Sequence, residues 1–483
     1  MTLLRSPFFW LVAVALAVAV LLIVRRTTAS RPWGFKELVK NPALWDEMSE
    51  AQREIDRDTE AAQHWDDNQV AQVVRHFAFD VKTSQDAWGE KRILESLGAR
   101  THPAIISIFR DASVRSKLAI PTGTDLLPEA PMNRLCDLLG EHPPSGVVEL
   151  LVPFLDDPSS EIRKDAALVL GKVGTSSIIP PLRKAFSDSD QYVRSFALIG
   201  LEWAVKGERL DEQCKRELFG DLQNLIADGK NADNATGLLM EFDAKRATEF
   251  FLSPNIFTPH SKSLHEALEA MAERRIPIPR DRLLALIKEL EATKLEYPHT
   301  YSLGNALRLL GQNSQAEDRP FLEARMTHAE ERVAEGAAAG LLAANGLDGF
   351  QKRLWDKESS DGFSALSSAQ KHYSAVSMLD EEINNGGHSQ YFVNSSGDYW
   401  RDALAGLEAM GFKERAAILR DAVGKFGKTA PSTDRRIRQE QVAKLARKDG
   451  ALFGALDDRY YKCAEIVEVL ATRYVITNAE AFK

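Results

Sequence analysis

Between Asn384 and Gly397 the chain reads Asn-Asn-Gly-Gly-His-Ser-Gln-Tyr-Phe-Val-Asn-Ser-Ser-Gly, directly after the acid pair Glu381-Glu382. Amides, an imidazole and an aromatic pair crowd into one short stretch. An amide-lined cleft with a carboxylate beside it can hold a small polar ligand. If the stretch were catalytic, the candidates by elimination are Glu382, Asn385, His388 and Gln390, with Asp457 from further along the chain. His388 has no cysteine and no second histidine at ligand spacing, so no metal set is implied. The adjacent acids Glu381-Glu382 and Asp457-Asp458 would point about 100° apart on a helix, a poor geometry for an acid–base dyad. Phosphate-loop, dinucleotide, nucleophile-elbow, zincin and EF-hand patterns are all missing. The sequence therefore names no catalytic residue, no metal ligand and no cofactor.

Positioning this stretch takes two helices. Met378 to Ile383 ends an apolar-periodic segment, and Asn384-Asn385-Gly386-Gly387 is a stop signal, because Gly and Asn tolerate the left-handed conformation that terminates helices. Asn394-Ser395-Ser396-Gly397 is turn chemistry, and Asp398 is placed to cap a helix over 399–410. Two readings stay open, and they can coexist. In one the stretch is an elbow, with Tyr391 and Phe392 pinned to the core while Asn385, Gln390 and Asn394 satisfy loop backbone groups. In the other it is a recognition loop that binds through Asn385, Gly386, Gly387, His388, Gln390, Tyr391 and Asn394, with Trp400, Arg401 and Tyr399 alongside.

The run Glu382 to Gly397 is similar to the signature of the bacterial domain family named after a neisserial DNA-mimic protein: an acid, Asn-Gly-Gly, Gln-Tyr-Phe, Asn and a small-residue turn. The Ala-Leu-rich segment Ala403 to Gly411 and the late Leu456-Asp457-Asp458-Arg459-Tyr460-Tyr461 element extend the resemblance over about residues 363–483. It implies an all-helical fold and a protein partner. DNA mimicry requires dense surface acid, whereas residues 363–483 hold 16 Asp and Glu against 17 Lys and Arg.

The whole chain of 483 residues carries a formal charge of −9, which argues against general nucleic-acid binding. Cys136, Cys214 and Cys463 lie far apart and form no disulfide framework or zinc pattern. Residues 8–24 are an unbroken apolar run, long enough for a helix of roughly 25 Å. It ends in Arg25-Arg26 rather than a small-residue cleavage site, which favours an uncleaved anchor over a signal peptide. Arg25, Arg26, Arg31, Lys36 and Lys40 follow the run and only Arg5 precedes it. The positive-inside rule then places the bulk of the chain in the cytoplasm, on a single pass through a bacterial inner membrane. The acidic stretch 41–67 reads as a solvated helix, and helices continue to 130 with breaks near Gly98, His102-Pro103 and Pro121-Thr122-Gly123.

From 145 to 350 the chain repeats. Asp157 and Asp188, Arg163 and Arg194, Ala166 and Ala197, and Leu170 and Leu201 are each offset by 31, as are Ala306 and Ala337 and Leu310 and Leu341. Such helix pairs cannot bury both faces alone and stack into a solenoid. They resemble short HEAT repeats, in which the Asp and Arg tie successive turns together and the small residues let helices approach. The period is lost between 205 and 280, where irregular helix pairs are expected, and Asp356 to Gly362 reads as a polar linker. Lys428 to Arg438 reads as a solvated basic loop, and 459–477 as a last helix.

The expectation is an all-α chain. It comprises a transmembrane anchor (1–30), a juxtamembrane helical segment (31–130), a HEAT-like α-solenoid (131–355) and a compact helical domain (363–483). Its expected role is a non-enzymatic scaffold with a protein partner and no direct nucleic-acid contact. The alternative is a small-ligand or catalytic site at the Asn-Gly-Gly/Gln-Tyr-Phe stretch.

Overall fold

The computed structural model describes residues 43–81, 84–122 and 129–483. The apolar run at 8–24 lies outside them, and among the described residues no helix is long and apolar enough to cross a membrane. Every extended regular element described is helical, with no β-strand. The described residues divide into two compact units, 47–244 and 245–483, the second including 43–46.

In the first unit, helices Asp67–Phe79, Ser84–Leu97 and His102–Arg110 lead into the repeats. Pro103 opens the last of these instead of breaking it, since a proline in the first turn gives up an N–H that has no partner there anyway. The helices Ser160–Val173 (α1) and Gln191–Lys206 (α2) then pack side by side. Arg163 reaches back to the carbonyl of Asp157 at 2.9 Å and forward to both oxygens of Asp188 at 2.7 and 3.0 Å. That bidentate bond holds the Asp188 carboxyl below its ordinary pKa. Arg194 repeats the move, taking the Asp188 carbonyl at 2.7 Å and Asn231 Oδ1 at 2.8 Å. The ladder thus continues past the point where the sequence period is lost. The period disappears because a 17-residue helix, Glu212–Asp228, replaces the 8-residue Ile179–Phe186 of the preceding pair.

The second unit contains a further stacked pair, His299–Gln312 (α3) and Glu331–Ala344 (α4). Ala166, Ala197, Ala306 and Ala337 are all buried, as the offset predicts. The tightest approach, however, is made by glycines. A methyl group on Gly200 would lie 2.3 Å from the Leu168 carbonyl, and one on Gly311 would lie 2.0 Å from that of Gly340. The expected linker is instead the end of a helix, Phe350–Asp361, closed by Gly362 at φ 82°. Lys357 and Glu358 on that helix bond Gln370 and Ser374 of the next one.

That next helix, Ser368–Val393 (α5), starts the C-terminal module, followed by Trp400–Met410 (α6), Arg435–Ala446 (α7), Gly454–Tyr461 (α8) and Val467–Thr477 (α9). The single last helix expected over 459–477 is therefore two, interrupted between Tyr461 and Val467. The basic segment is also no loop: from Arg435 onward it is α7, capped by the Asp434 carboxylate on the Ile437 N–H at 3.0 Å.

Two measurements test this account of the first unit. Gly200→Ala drives a methyl into backbone that cannot rotate away and should cost about 1–3 kcal/mol in a urea titration. Gly220→Ala, in a helix with open space at its Cβ, should instead gain about 0.5–1 kcal/mol. Asp165 is 3 % exposed, accepts a long 3.4 Å bond from Asn133 Nδ2, and burial raises its pKa from 3.8 to about 6. The folded state thus prefers the neutral acid, and stability falls as pH rises from 3.8 through about 6, by about 3 kcal/mol in total. Asp165→Asn should raise the urea midpoint at neutral pH and leave it nearly unchanged at about pH 4.

Candidate functional site

The break in α5 falls at Gly386 and Gly387. Gly387 adopts φ 74°, ψ −177°, a region essentially closed to residues with a Cβ, and an added Cβ there would sit 2.6 Å from Asp457 Oδ2. The stop signal therefore makes a sharp kink rather than a loop, and the helix resumes to Val393 on a new axis.

Polar side chains close the kink from two sides. On one side Glu382 accepts from Gln390 Nε2 at 2.7 Å, Asn394 Nδ2 at 2.9 Å and Ser396 Oγ at 2.8 Å. Gln390 and Asn394 thus bond a carboxylate and not the loop backbone that their types suggested. On the other side Asp457 Oδ1 accepts the His388 backbone N–H at 2.8 Å and lies 2.6 Å from His388 Nδ1. The His388 ring is fully buried against Tyr460 and Phe453. Its Nε2 and the Tyr391 hydroxyl have no hydrogen-bond partner among the described residues. Burial pushes the Tyr391 phenol well above its ordinary pKa, so it stays protonated. Tyr461 Oη donates to the Ile383 carbonyl at 2.7 Å, which closes the end of the first half of α5.

The second half of α5 ends on α7. Arg438 is completely buried, with Nε 2.7 Å from the Phe392 carbonyl, Nη2 2.8 Å from the Asn394 carbonyl and 2.6 Å from Asp398 Oδ1, and Nη1 2.6 Å from the Ser432 carbonyl. Arg435 Nε and Gln439 Nε2 both donate to the Val393 carbonyl at 3.1 Å. Asp398 is therefore the counter-charge of Arg438 and not a helix cap; Tyr399 holds the cap position before α6. Sequence reading passed over Arg438 because Pro, Lys and Arg together look solvated. Asp434, an N-cap residue directly before the arginine run, was the available signal.

The ten residues singled out for binding divide by burial, and Tyr399 is half-buried, stacked on Phe363. Gly387, His388, Tyr391 and Trp400 are buried, with Trp400 Nε1 on the Pro431 carbonyl at 3.0 Å. Gly386, Gln390 and Asn394 are half-buried, and the latter two are held by Glu382. Asn385 and Arg401 are exposed, with the Arg401 guanidinium 4.5 Å from the Trp400 ring centre. Of the candidates for chemistry, His388 meets Asp457 and Glu382 meets Gln390, while Asn385 joins neither pair. The His388–Asp457 pair has the form of a base and its orienting acid, but Nε2 faces closed core, so no substrate reaches it in this conformation.

This geometry sets an order of stabilities. Arg438→Ala strands four acceptors, one of them a carboxylate, and should destabilise by about 3–5 kcal/mol in a denaturant melt. Gln390→Ala removes one bond to a half-buried carboxylate and should cost about 1–2 kcal/mol. Asn385→Ala should stay within about 0.5 kcal/mol of the parent.

Residues 364–478 match the family model of DMP19-like protein, and residues 133–202 match that of HEAT repeats. No curated protein matches the chain. The HEAT match spans α1 and most of α2, where the Arg163–Asp188 rung lies; the other match spans the kink, Glu382, His388, Arg438 and Asp457. This chain thus carries HEAT repeats and, C-terminal to them, a domain of the DMP19-like protein family, the family of DNA-mimic proteins.

Proposed function

We propose that this protein is a non-enzymatic interaction scaffold, anchored to a membrane through residues 8–24 and binding a protein partner through its repeats and its C-terminal module. The observation that carries the reading is the closure of the kink. Glu382, Gln390, Asn394, Asp457 and Arg438, whose types suggest chemistry, bond one another or the backbone inside the module. What the motif region leaves at the surface is Asn385, Arg401 and their surroundings, a surface suited to contact and not to turnover. The stacked repeats support the same reading, since solenoids present extended faces to partners. A near-even balance of 16 acidic and 17 basic residues over 363–483 favours a protein surface over imitation of a nucleic acid.

The test places a photo-crosslinking amino acid at Arg401, and separately at Tyr192 in the repeats, of the full-length chain in its own cells. The expected outcome is a discrete, nuclease-resistant protein adduct from at least one position, sedimenting with the membrane fraction. Adducts that vanish with nuclease, or none from either position, would sink the scaffold reading. A soluble adduct would remove the anchor alone.

A further inference from the structure

Within the first unit, Lys172, near the end of α1, is 9 % exposed. Its Nζ donates to the Gly140 carbonyl at 3.1 Å and lies 5.7 Å from the centre of the Trp203 ring on α2. Arg209, three residues past α2, comes to the same turn and donates through Nη2 to the next carbonyl, that of Glu141. The same nitrogen lies 3.4 Å from the carbonyls of Lys172 and of Trp203. An amine and a guanidinium therefore sit on consecutive carbonyls of one turn.

Neither cation makes an ion pair among the described residues. Lys172 spends one of the three donors of an ammonium group, and Arg209 Nε is buried without a partner. Burial, with the Arg209 charge adding to it, draws the Lys172 pKa below the ordinary lysine value. The acids that oppose this shift do not reverse it: Asp137 is paired to Lys91 at 2.7 Å, and Glu141 is exposed. The Cys136 thiol near the amine is kept protonated by its own burial, so it supplies no counter-charge. A lysine desolvated beside a second cation is the setting in which an amine becomes a nucleophile. So little of this side chain meets solvent that bulky or charged electrophiles are kept off. The reagent that fits is small, neutral and apolar, and its product should be an anion, because a cation stands unanswered beside it.

We propose that Lys172 is a modification site for carbon dioxide, held as a carbamate beside Arg209. The neutral Nζ gives its lone pair to the carbon of carbon dioxide, one C=O π pair moves onto oxygen, and the nitrogen releases one proton to water. The step needs no oxidant and expels no leaving group. The N–H that remains is still a donor for the Gly140 carbonyl, and the new carboxylate is the counter-charge that Arg209 lacks. The modification stands independently of the scaffold reading.

The full-length protein is equilibrated with isotope-labelled bicarbonate at about pH 8, below the ordinary lysine range. Carbamates are then trapped by alkylation with a trialkyloxonium salt and located by peptide mass spectrometry. Label should appear at Lys172 in severalfold excess over Lys206, an exposed lysine 5.9 Å from the centre of the same Trp203 ring. Arg209→Gln should lower the label at Lys172 by about threefold to fivefold and leave Lys206 as it was. Arg209→Lys, which keeps the charge, should retain most of the label. The proposal fails if Lys172 carries no label, or no more than Lys206, which would be the general reactivity of surface amines. It also fails if Arg209→Gln, with the parent's melting profile, is labelled as the parent is. Arg209 holds the turn as well, so if Arg209→Gln does not fold, the ratio of Lys172 to Lys206 in the parent decides by itself.

Discussion

A helix that ends inside a core exposes carbonyls that water cannot reach, and each must find a donor. In the C-terminal module that requirement falls on Arg438. Its guanidinium takes the carbonyls of Phe392, Asn394 and Ser432 and the carboxylate of Asp398, while Arg435 and Gln439 take Val393 between them. Positive charge at a helix C-terminus is favourable in itself. A fully buried charge is tolerable only when every donor is matched and a counter-charge is near. The requirement runs both ways. The end of α5 must present its carbonyls at the spacing of the guanidinium fork, and Gly397 must be bare, because a Cβ there would lie 2.8 Å from Arg438 Nε. The end of α5, the turn after it and the start of α7 are therefore one mutually dependent assembly.

The repeats are held together differently. Their contacts are local: the Arg163–Asp188 rung spans 25 residues, and glycine backbones meet between neighbouring helices. In the module the decisive bonds are long-range. Gln370 Nε2 reaches the Ala481 carbonyl across 111 residues, and Arg353 Nη2 reaches that of Phe482 across 129. A solenoid built on neighbour contacts can form turn by turn. A module whose first helix is fastened to its last residues must close a long loop before its core is complete. The module is therefore the cooperative part of the chain, and the repeats the extensible one.

Much of this was legible in the sequence, for identifiable reasons. The offset of 31 exposed the repeats because Asp157/Asp188 and Arg163/Arg194 occupy equivalent rungs. The offset did not single out the glycines, because Gly171 and Gly200 are 29 apart and Gly304 and Gly336 are 32 apart. Helices that cross at an angle bring together residues that are not repeat-equivalent. Gly386-Gly387 was correctly a break, but whether a break becomes a loop or a kink depends on what packs against it, and Asp457 is 70 residues away. The polar end of Phe350–Asp361 looked like a linker because most of its side chains are solvated, a property of an exposed helix face as much as of a flexible connection. Arg438 was the largest miss, since burial of an arginine is decided by distant carbonyls that no local pattern announces.

Residue types that signal chemistry and residue types that close a difficult fold are the same types, because both tasks need several directed bonds from one side chain. What separates them is bonding capacity left over after folding, and whether solvent or a ligand can reach it. Asp457 is committed to two His388 nitrogens, and the free Nε2 of His388 is sealed by Phe453 and Tyr460. Glu382 is committed to three partners around the kink. Its neighbour Glu381, about 100° around the same helix, is exposed and joins none of these bonds. The angle that disqualifies Glu381-Glu382 as an acid–base dyad is thus what lets adjacent carboxylates serve different ends: one holds the motif shut, and the other stays at the surface.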